Sequence, residues 1–100
     1  MKDLNFYVLQ NDNEKIVVDV TGKLNFETSS FFNSFLKTVG FEKDIVFNFE
    51  HLERIDSSGV GVLMNTARLL NEYKLRIINT NETVMKIFFM LGFDKFIEVS

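Results

Sequence analysis

Hydrophobic and polar residues alternate at the amino end of the chain. In Leu4-Asn5-Phe6-Tyr7-Val8-Leu9, the residues Leu4, Phe6 and Val8 fall on one face, the period-two pattern of a strand. The polar stretch Gln10-Asn11-Asp12-Asn13-Glu14 reads as a turn. Residues 15–20 alternate again, with Ile16, Val18 and Val20 set against Val17 and Asp19. Two such strands across a short polar loop predict an antiparallel hairpin, ended by Thr21-Gly22.

The period then changes. Phe32, Phe35, Leu36 and Val39 stand at i, i+3, i+4 and i+7, one stripe of a helix. Thr28, Ser29 or Ser30 is placed to cap its start, and Asn25 with Thr28 three residues on is another candidate. Gly40 suits the position just past its end. Asp44-Ile45-Val46-Phe47-Asn48-Phe49 is nearly all apolar, the pattern of a central strand covered on both faces. A second helical stripe follows Asp56-Ser57-Ser58-Gly59, carried by Val60, Leu63, Met64, Ala67 and Leu70. Leu75-Arg76-Ile77-Ile78 reads as a further buried strand, broken by Asn79-Thr80-Asn81. Val84, Ile87, Phe88 and Leu91 form a third helical stripe ended by Gly92, and residues 95–99 read as a last short strand. The order is ββαβαβαβ over a single domain, residues 1–100.

Strand-helix-strand units in series imply parallel pairing with right-handed crossovers. The expected architecture is α/β, a mixed sheet with an antiparallel amino-terminal strand and residues 44–49 at its centre. In such sheets function gathers where strand ends feed helix starts. Those junctions are Thr21-Gly22-Lys23-Leu24-Asn25, Asp56-Ser57-Ser58-Gly59 and Asn79-Thr80-Asn81.

Composition narrows the chemistry. The chain has 100 residues, 46% of them hydrophobic, and its 14 acidic and 11 basic side chains give a net charge of −3. At this length roughly 65% of the unfolded surface is buried on folding, enough for one core. A mildly acidic chain with no basic block is poorly suited to nucleic acid or to an anionic membrane surface. With no cysteine and one histidine, His51, the chain cannot build a disulfide, a zinc–thiolate site or a multi-histidine metal site. No cofactor is expected. Met1-Lys2-Asp3-Leu4-Asn5-Phe6 lacks the apolar run of about 7–15 residues of a signal peptide, and Ile87–Leu91 falls far short of the ~20 residues of a membrane span. A cytoplasmic location is the expectation.

Asp56-Ser57-Ser58-Gly59-Val60-Gly61 is the most informative hexapeptide. Ser57 or Ser58 is placed to accept a backbone N–H at the start of the second helix, and a phosphate is well tolerated there. Gly59 leaves room for another protein's active site to approach the backbone. Gly61, in the first turn, costs about 0.5–1 kcal/mol relative to Ala and suggests a close approach by a strand, a ligand or a partner. The plainer reading is an ordinary capped helix with a flexible entry. The stretch matches none of the Walker, dinucleotide-binding or Gly-x-Ser-x-Gly patterns, which argues against a nucleotide-binding or hydrolytic domain. His51, six residues before Ser57, is expected to be partly exposed rather than a catalytic partner. The close carboxylate pairs Asp12/Glu14, Glu50/Glu53 and Glu53/Asp56 lie in polar turns and read as surface charge. Met85, Phe89 and Met90 fall partly off the third helix's stripe, packed on the last strand or left as an apolar partner patch.

Taken together, these segments resemble the STAS domain, specifically the bacterial anti-sigma factor antagonists of the sporulation and general-stress type. The resemblance rests on Val20-Thr21-Gly22-Lys23-Leu24-Asn25 and on Ile45-Val46-Phe47-Asn48-Phe49 leading to Ile55-Asp56-Ser57-Ser58-Gly59-Val60-Gly61-Val62. It extends to Thr83-Val84-Met85-Lys86-Ile87-Phe88 and Leu91-Gly92-Phe93-Asp94-Lys95-Phe96. It implies a four- or five-stranded mixed sheet with helices mainly on one side. It implies a non-enzymatic module whose unphosphorylated form binds an anti-sigma factor that is also a serine protein kinase, releasing the sigma factor. Phosphorylation of Ser57 by that kinase then switches the antagonist off, and a serine phosphatase reverses it. Lys23, Asn25, Asp56, Ser58 and Gly59 are the implied partner-binding residues. The chain itself is expected to be a monomer or weak homodimer. The alternative is a STAS interaction module in a sensory or transporter-associated complex without a sigma factor. Two departures stand out: Asn25 occupies a position where the antagonists usually carry aspartate, and no family-type carboxy-terminal helix follows the last strand, which is expected to leave some surface uncovered.

Overall fold

A computed structural model describes residues 3–100; Met1 and Lys2, part of the segment read above as no signal peptide, lie outside the described residues. The elements run β1 (Leu4–Asn11), β2 (Lys15–Leu24), α1 (Ser29–Val39), β3 (Asp44–Asn48), β4 (Leu52–Ile55), α2 (Ser57–Leu70), β5 (Leu75–Ile78), α3 (Glu82–Met90) and β6 (Glu98–Val99), with a short 3₁₀ turn at Phe93–Lys95 before β6. The sheet has six strands in the order β1-β2-β3-β5-β6, with β4 beside β2. Only β1–β2 is antiparallel; every other pair is parallel. The sixth strand departs from the four or five expected. It is β4, hidden in sequence because Leu52-Glu53-Arg54-Ile55 buries only its two ends. The strand expected over residues 95–99 also shrinks to the two residues of β6, with Lys95 closing the 3₁₀ turn before it.

The hairpin forms, but β1 runs on through Gln10 and Asn11, read above as turn, past a bulge between Val8 and Gln10. Val8, expected on the face of Leu4 and Phe6, is exposed. β3 lies between β2 and β5 with Ile45 and Phe47 fully buried. Gly22 does not end β2. It bends it: the residue sits at φ 102°, a conformation that favours glycine, and a Cβ there would run into the backbone oxygen of Asp3. The bend lets one strand serve two partners in turn. Residues 15–19 of β2 pair with β3, and beyond the bend Gly22, Lys23 and Leu24 pair with β4. The ends of β2 and β4 therefore come out side by side.

The three helices pack mainly on one face of the sheet, and phenylalanine builds much of that core. Phe6 stacks on Phe35 at 4.1 Å between ring centroids and on Phe32 at 5.5 Å; Phe32 meets Phe47, Phe47 stacks on Phe49, and Phe49 leads through Phe88 to Phe93. The chain of rings ties the hairpin, α1, β3, α3 and the 3₁₀ turn into one cluster. Each ring pair adds about 0.5–1.5 kcal/mol beyond its burial. On α2 the buried arc is rotated from the expected stripe. Val62 and Thr66 are buried beside Val60, Leu63 and Leu70, whereas Met64 is 37% exposed. Thr66 is accommodated because its hydroxyl donates to the Val62 carbonyl at 2.8 Å. Leu91, expected on the third stripe, caps α3 and is exposed.

Candidate functional site

The paired exits of β2 and β4 bring two of the three strand–helix junctions together. Lys23 and Leu24 stand in register with Arg54 and Ile55, and the Asp56 N–H donates to the Leu24 carbonyl at 3.1 Å. Asp56 then leaves the sheet in an extended conformation and caps α2. Its Oδ1 accepts from the Gly59 N–H at 3.1 Å, and its Oδ2 accepts from the Phe26 N–H across the gap at 3.2 Å. The capping group is thus the aspartate and neither serine, and Asp56 is a structural strap rather than loose surface charge. Glu53 likewise stands on β4 rather than in a turn.

On the facing loop, Asn25 and Thr28 cap each other. The Thr28 N–H donates to Asn25 Oδ1, and the Asn25 N–H donates to Thr28 Oγ1, both at 3.0 Å. This is the reciprocal arrangement of a capping box, set one turn ahead of α1. The Thr28 hydroxyl also donates to the Lys23 carbonyl at 2.8 Å. Of the candidates for capping α1, Thr28 occupies the position but makes no side-chain cap to the helix, and the Asn25–Thr28 pair instead closes the turn that leads into it.

Between these two fixed segments lies the start of α2. Ser57 is its first residue and is exposed; Ser58 is half-buried. In a helix's first turn, backbone N–H groups have no intrahelical acceptor and the helix dipole presents its positive end. Gly59 is not an opening for a partner. It is buried, and a Cβ on it would stand 2.6 Å from the Leu24 carbonyl oxygen and 2.8 Å from Ile55 Cγ1. Its missing side chain lets α2 sit directly on the ends of β2 and β4. Gly61 is the open one: apart from the helix's own backbone, nothing lies within 4 Å of a Cβ placed there.

Lys23 separates from this group. The strand alternation that buries Leu24 on the helix side turns Lys23 to the other face of the sheet. There it lines a depression of about 310 Å³ with Asp3, Asn5, Thr21, His51 and Glu53. Its backbone holds the loop; its side chain faces away from Ser57. The third junction also stands apart, since Asn81 caps α3 and donates to the carbonyl of Leu52, at the opposite end of β4 from Asp56. His51 is exposed, with Nε2 3.5 Å from Glu50 Oε2. The four residues of β4 lie between it and Asp56, and at about 3.3 Å per residue they hold it more than roughly 10 Å from Ser57. Among the described residues no group of three or more His, Asp or Glu side chains is placed to hold a metal ion, and no helix is long and apolar enough to cross a membrane.

The residue that sequence reasoning missed is Phe26. It sits between Asn25 and Thr28 on the strapped loop with 77% of its surface exposed. Periodicity gives no warning of it, because it belongs to no stripe.

A mixed sheet with helices mainly on one face, whose neighbouring strand exits present a capped helix start, defines a small α/β domain. The chain belongs to the STAS domain family, whose profile matches residues 6–100. Among solved structures it is similar to the anti-sigma factor antagonist SpoIIAA in its unphosphorylated form, at 26% identity and a TM-score of 0.81, covering 96% of this chain and 88% of that one. The Bacillus cell fate determinant SpoIIAA in its phosphorylated form is 25% identical, with a TM-score of 0.71 over 96% of this chain and 91% of that one. An anti-sigma factor antagonist from Mycobacterium paratuberculosis shares the fold, with a TM-score of 0.85, 19% identity, and 96% and 84% of the two chains covered. Curated protein sequences give no match.

Proposed function

We propose that this chain is an anti-sigma factor antagonist. In its unphosphorylated form it binds an anti-sigma factor that is also a serine kinase, which frees the sigma factor. Phosphorylation of Ser57 switches it off, and a serine phosphatase restores it. Asn25, Asp56 and Ser58 frame the acceptor, with the backbone of Lys23 and the buried Gly59 holding that frame in place. The chain acts as a binding module in the cytoplasm, and not as an enzyme.

The observation that carries this reading is the exposed Ser57 hydroxyl at the first position of α2, between two segments fixed by hydrogen bonds. The likeness to a protein solved in both phosphorylated and unphosphorylated forms supports it. The physical logic follows from charge. A phosphate adds about −1.5 to −2 at neutral pH. The first turn of α2 tolerates that charge, so the fold persists. The partner surface does not, because desolvating a dianion with no matching cation costs several kcal/mol, and each ~1.4 kcal/mol is tenfold in affinity.

The test mixes the full chain with purified anti-sigma serine kinases encoded in the same genome and follows binding by calorimetry and sigma release by gel filtration. The wild-type chain and Ser57→Ala are expected to bind one of them and release its sigma factor. Ser57→Asp is expected to bind at least tenfold more weakly with a native circular dichroism spectrum. Equal binding by Ser57→Asp, or no binding by any such kinase, would refute the proposal.

A further inference from the structure

We propose that Phe26 is the apolar anchor of the kinase-docking surface, its ring entering an apolar pocket that the serine kinase presents beside its phosphotransfer site. The inference rests on the reading of Ser57 as phosphate acceptor and adds the residue that seats the partner.

Among the described residues Phe26 is the most exposed aromatic. Its exposure does not come from a slack loop. The Phe26 N–H is held by Asp56 Oδ2 at 3.2 Å, and its carbonyl accepts from the Ser29 hydroxyl at 3.0 Å. Both backbone groups are therefore satisfied inside the chain, and the Asn25–Thr28 box fixes the residues on either side. A ring carried on a fixed backbone spares the interface the cost of ordering that backbone. Aromatic residues presented in this way are the usual energetic centres of protein interfaces.

Its place points to the occupant. One carboxylate, that of Asp56, holds the Phe26 N–H through one oxygen and the Gly59 N–H in the first turn of α2 through the other, so the backbones that carry the ring and Ser57 are tied together. Along α2, Ser57, Gly61 and Met64 follow at i, i+4 and i+7 on an exposed face, with open space above Gly61. A partner that reaches Ser57 meets the exposed Gly61 and Met64 along the helix, with Phe26 on the loop tied to Asp56. An apolar surface suits this better than a charged one, and the chain's net charge of −3 disfavours an anionic membrane. The same contact explains the sensitivity to phosphate: a ring that excludes water next to Ser57 makes a dianion there costly to enclose.

The test compares the wild-type full chain with Phe26→Ala and Phe26→Leu, using the serine kinase that phosphorylates the wild type on Ser57. Because the ring is exposed, both variants should melt within a few degrees of the wild type. Phe26→Ala should raise the Kd for the kinase by roughly 30-fold, the scale of an interface hot spot. It should raise KM for phosphorylation without lowering kcat, and Phe26→Leu should recover part of the loss. A wild type phosphorylated on Ser57 alongside a Phe26→Ala variant binding within threefold of it would overturn the anchor while leaving the phosphoswitch intact. Loss of self-association in Phe26→Ala, with kinase binding unchanged, would overturn it in favour of a second copy of the chain. Absence of any kinase acting on wild-type Ser57 would overturn both readings.

Discussion

Substituting alanine at Gly59 and at Gly61 makes one chemical change at two places on one helix, and the structure predicts opposite signs. Each gains the helix propensity of alanine over glycine, about 1 kcal/mol in a helix interior. At Gly61 nothing opposes this, since beyond the helix's own backbone no atom lies within 4 Å of the new Cβ. At Gly59 the new Cβ would stand 2.6 Å from the Leu24 carbonyl oxygen, well inside the ~3.3 Å of a close C–H···O contact. Ile55 Cγ1 and Leu24 Cγ stand at 2.8 Å. The carbonyl is not free to retreat, because it accepts the Asp56 N–H at 3.1 Å. Overpacking of this kind costs about 1–3 kcal/mol, and a fixed backbone oxygen places it at the upper end. The net expectation is a loss of about 2 kcal/mol for Gly59→Ala and a gain of about 0.5–1 for Gly61→Ala. In a domain of this size that corresponds to a Tm roughly 10 °C lower for the first and about 4 °C higher for the second. Thermal unfolding by circular dichroism, checked against urea titration, reads both. The propensity gain is common to the two variants, so their difference isolates the clash. A Gly59→Ala variant that melts at or above the wild type would refute the close packing of α2 on the ends of β2 and β4.

Three further outcomes are expected. Thr28→Val keeps the shape of a buried side chain but strips the Oγ1 that serves the Lys23 carbonyl and the Asn25 N–H, and urea unfolding should show a loss of about 1–3 kcal/mol, with Thr28→Ser closer to wild type. Asn25→Asp keeps the oxygen that accepts the Thr28 N–H, so its Tm should stay within a few degrees while the rate of Ser57 phosphorylation changes; an unaltered rate would remove this loop from the docking surface. Hydrogen bonds from the Gln10 side chain and from the Lys15 and Glu14 N–H groups lower the pKa of Asp12 from 3.8 to about 2. A carboxyl lowered on folding stabilises the fold above its unfolded value and loses that contribution as pH falls through the folded one. Stability measured between pH 4 and 2 should therefore fall less steeply in Asp12→Asn than in wild type, and parallel curves would contradict the assignment.

Much of the fold was legible because periodicity reports burial. The alternation of Ile16, Val18 and Val20, the run through Ile45 and Phe47 and the stripe of Phe32 and Leu36 each describe a surface that ends up covered. Gly40 and Gly92 end their helices with positive φ, as their positions suggested. What escaped depends on partners distant in sequence. β4 exists because Gly22 bends β2 into a second pairing segment, and nothing local to Leu52-Glu53-Arg54-Ile55 announces that. Thr66 is buried because its hydroxyl is satisfied within its own helix, so a polar letter hid a core position. Asp56 stands at the strand–helix junction that the change of period marks, but as the cap that the serines were expected to supply. Its two-way bond to Gly59 and Phe26 needed a residue thirty positions away. Gly59 and Gly61 are indistinguishable as letters, and only the approach of Leu24 tells them apart. The resemblance in the Asp56–Gly61 segment pointed to Ser57; the side to which Lys23 turns and the exposure of Phe26 required the fold.

The position of phosphate on the chain tests the central claim most directly. The full chain is incubated with ATP and the anti-sigma serine kinase that binds it, then fragmented and sequenced by mass spectrometry. The account predicts a single phosphate on Ser57, retained in Ser58→Ala, lost in Ser57→Ala, and accompanied by release of the chain from the kinase. Phosphate on Ser58, phosphate on no serine, or a Ser57-phosphorylated chain that stays bound to the kinase as tightly as before would contradict it.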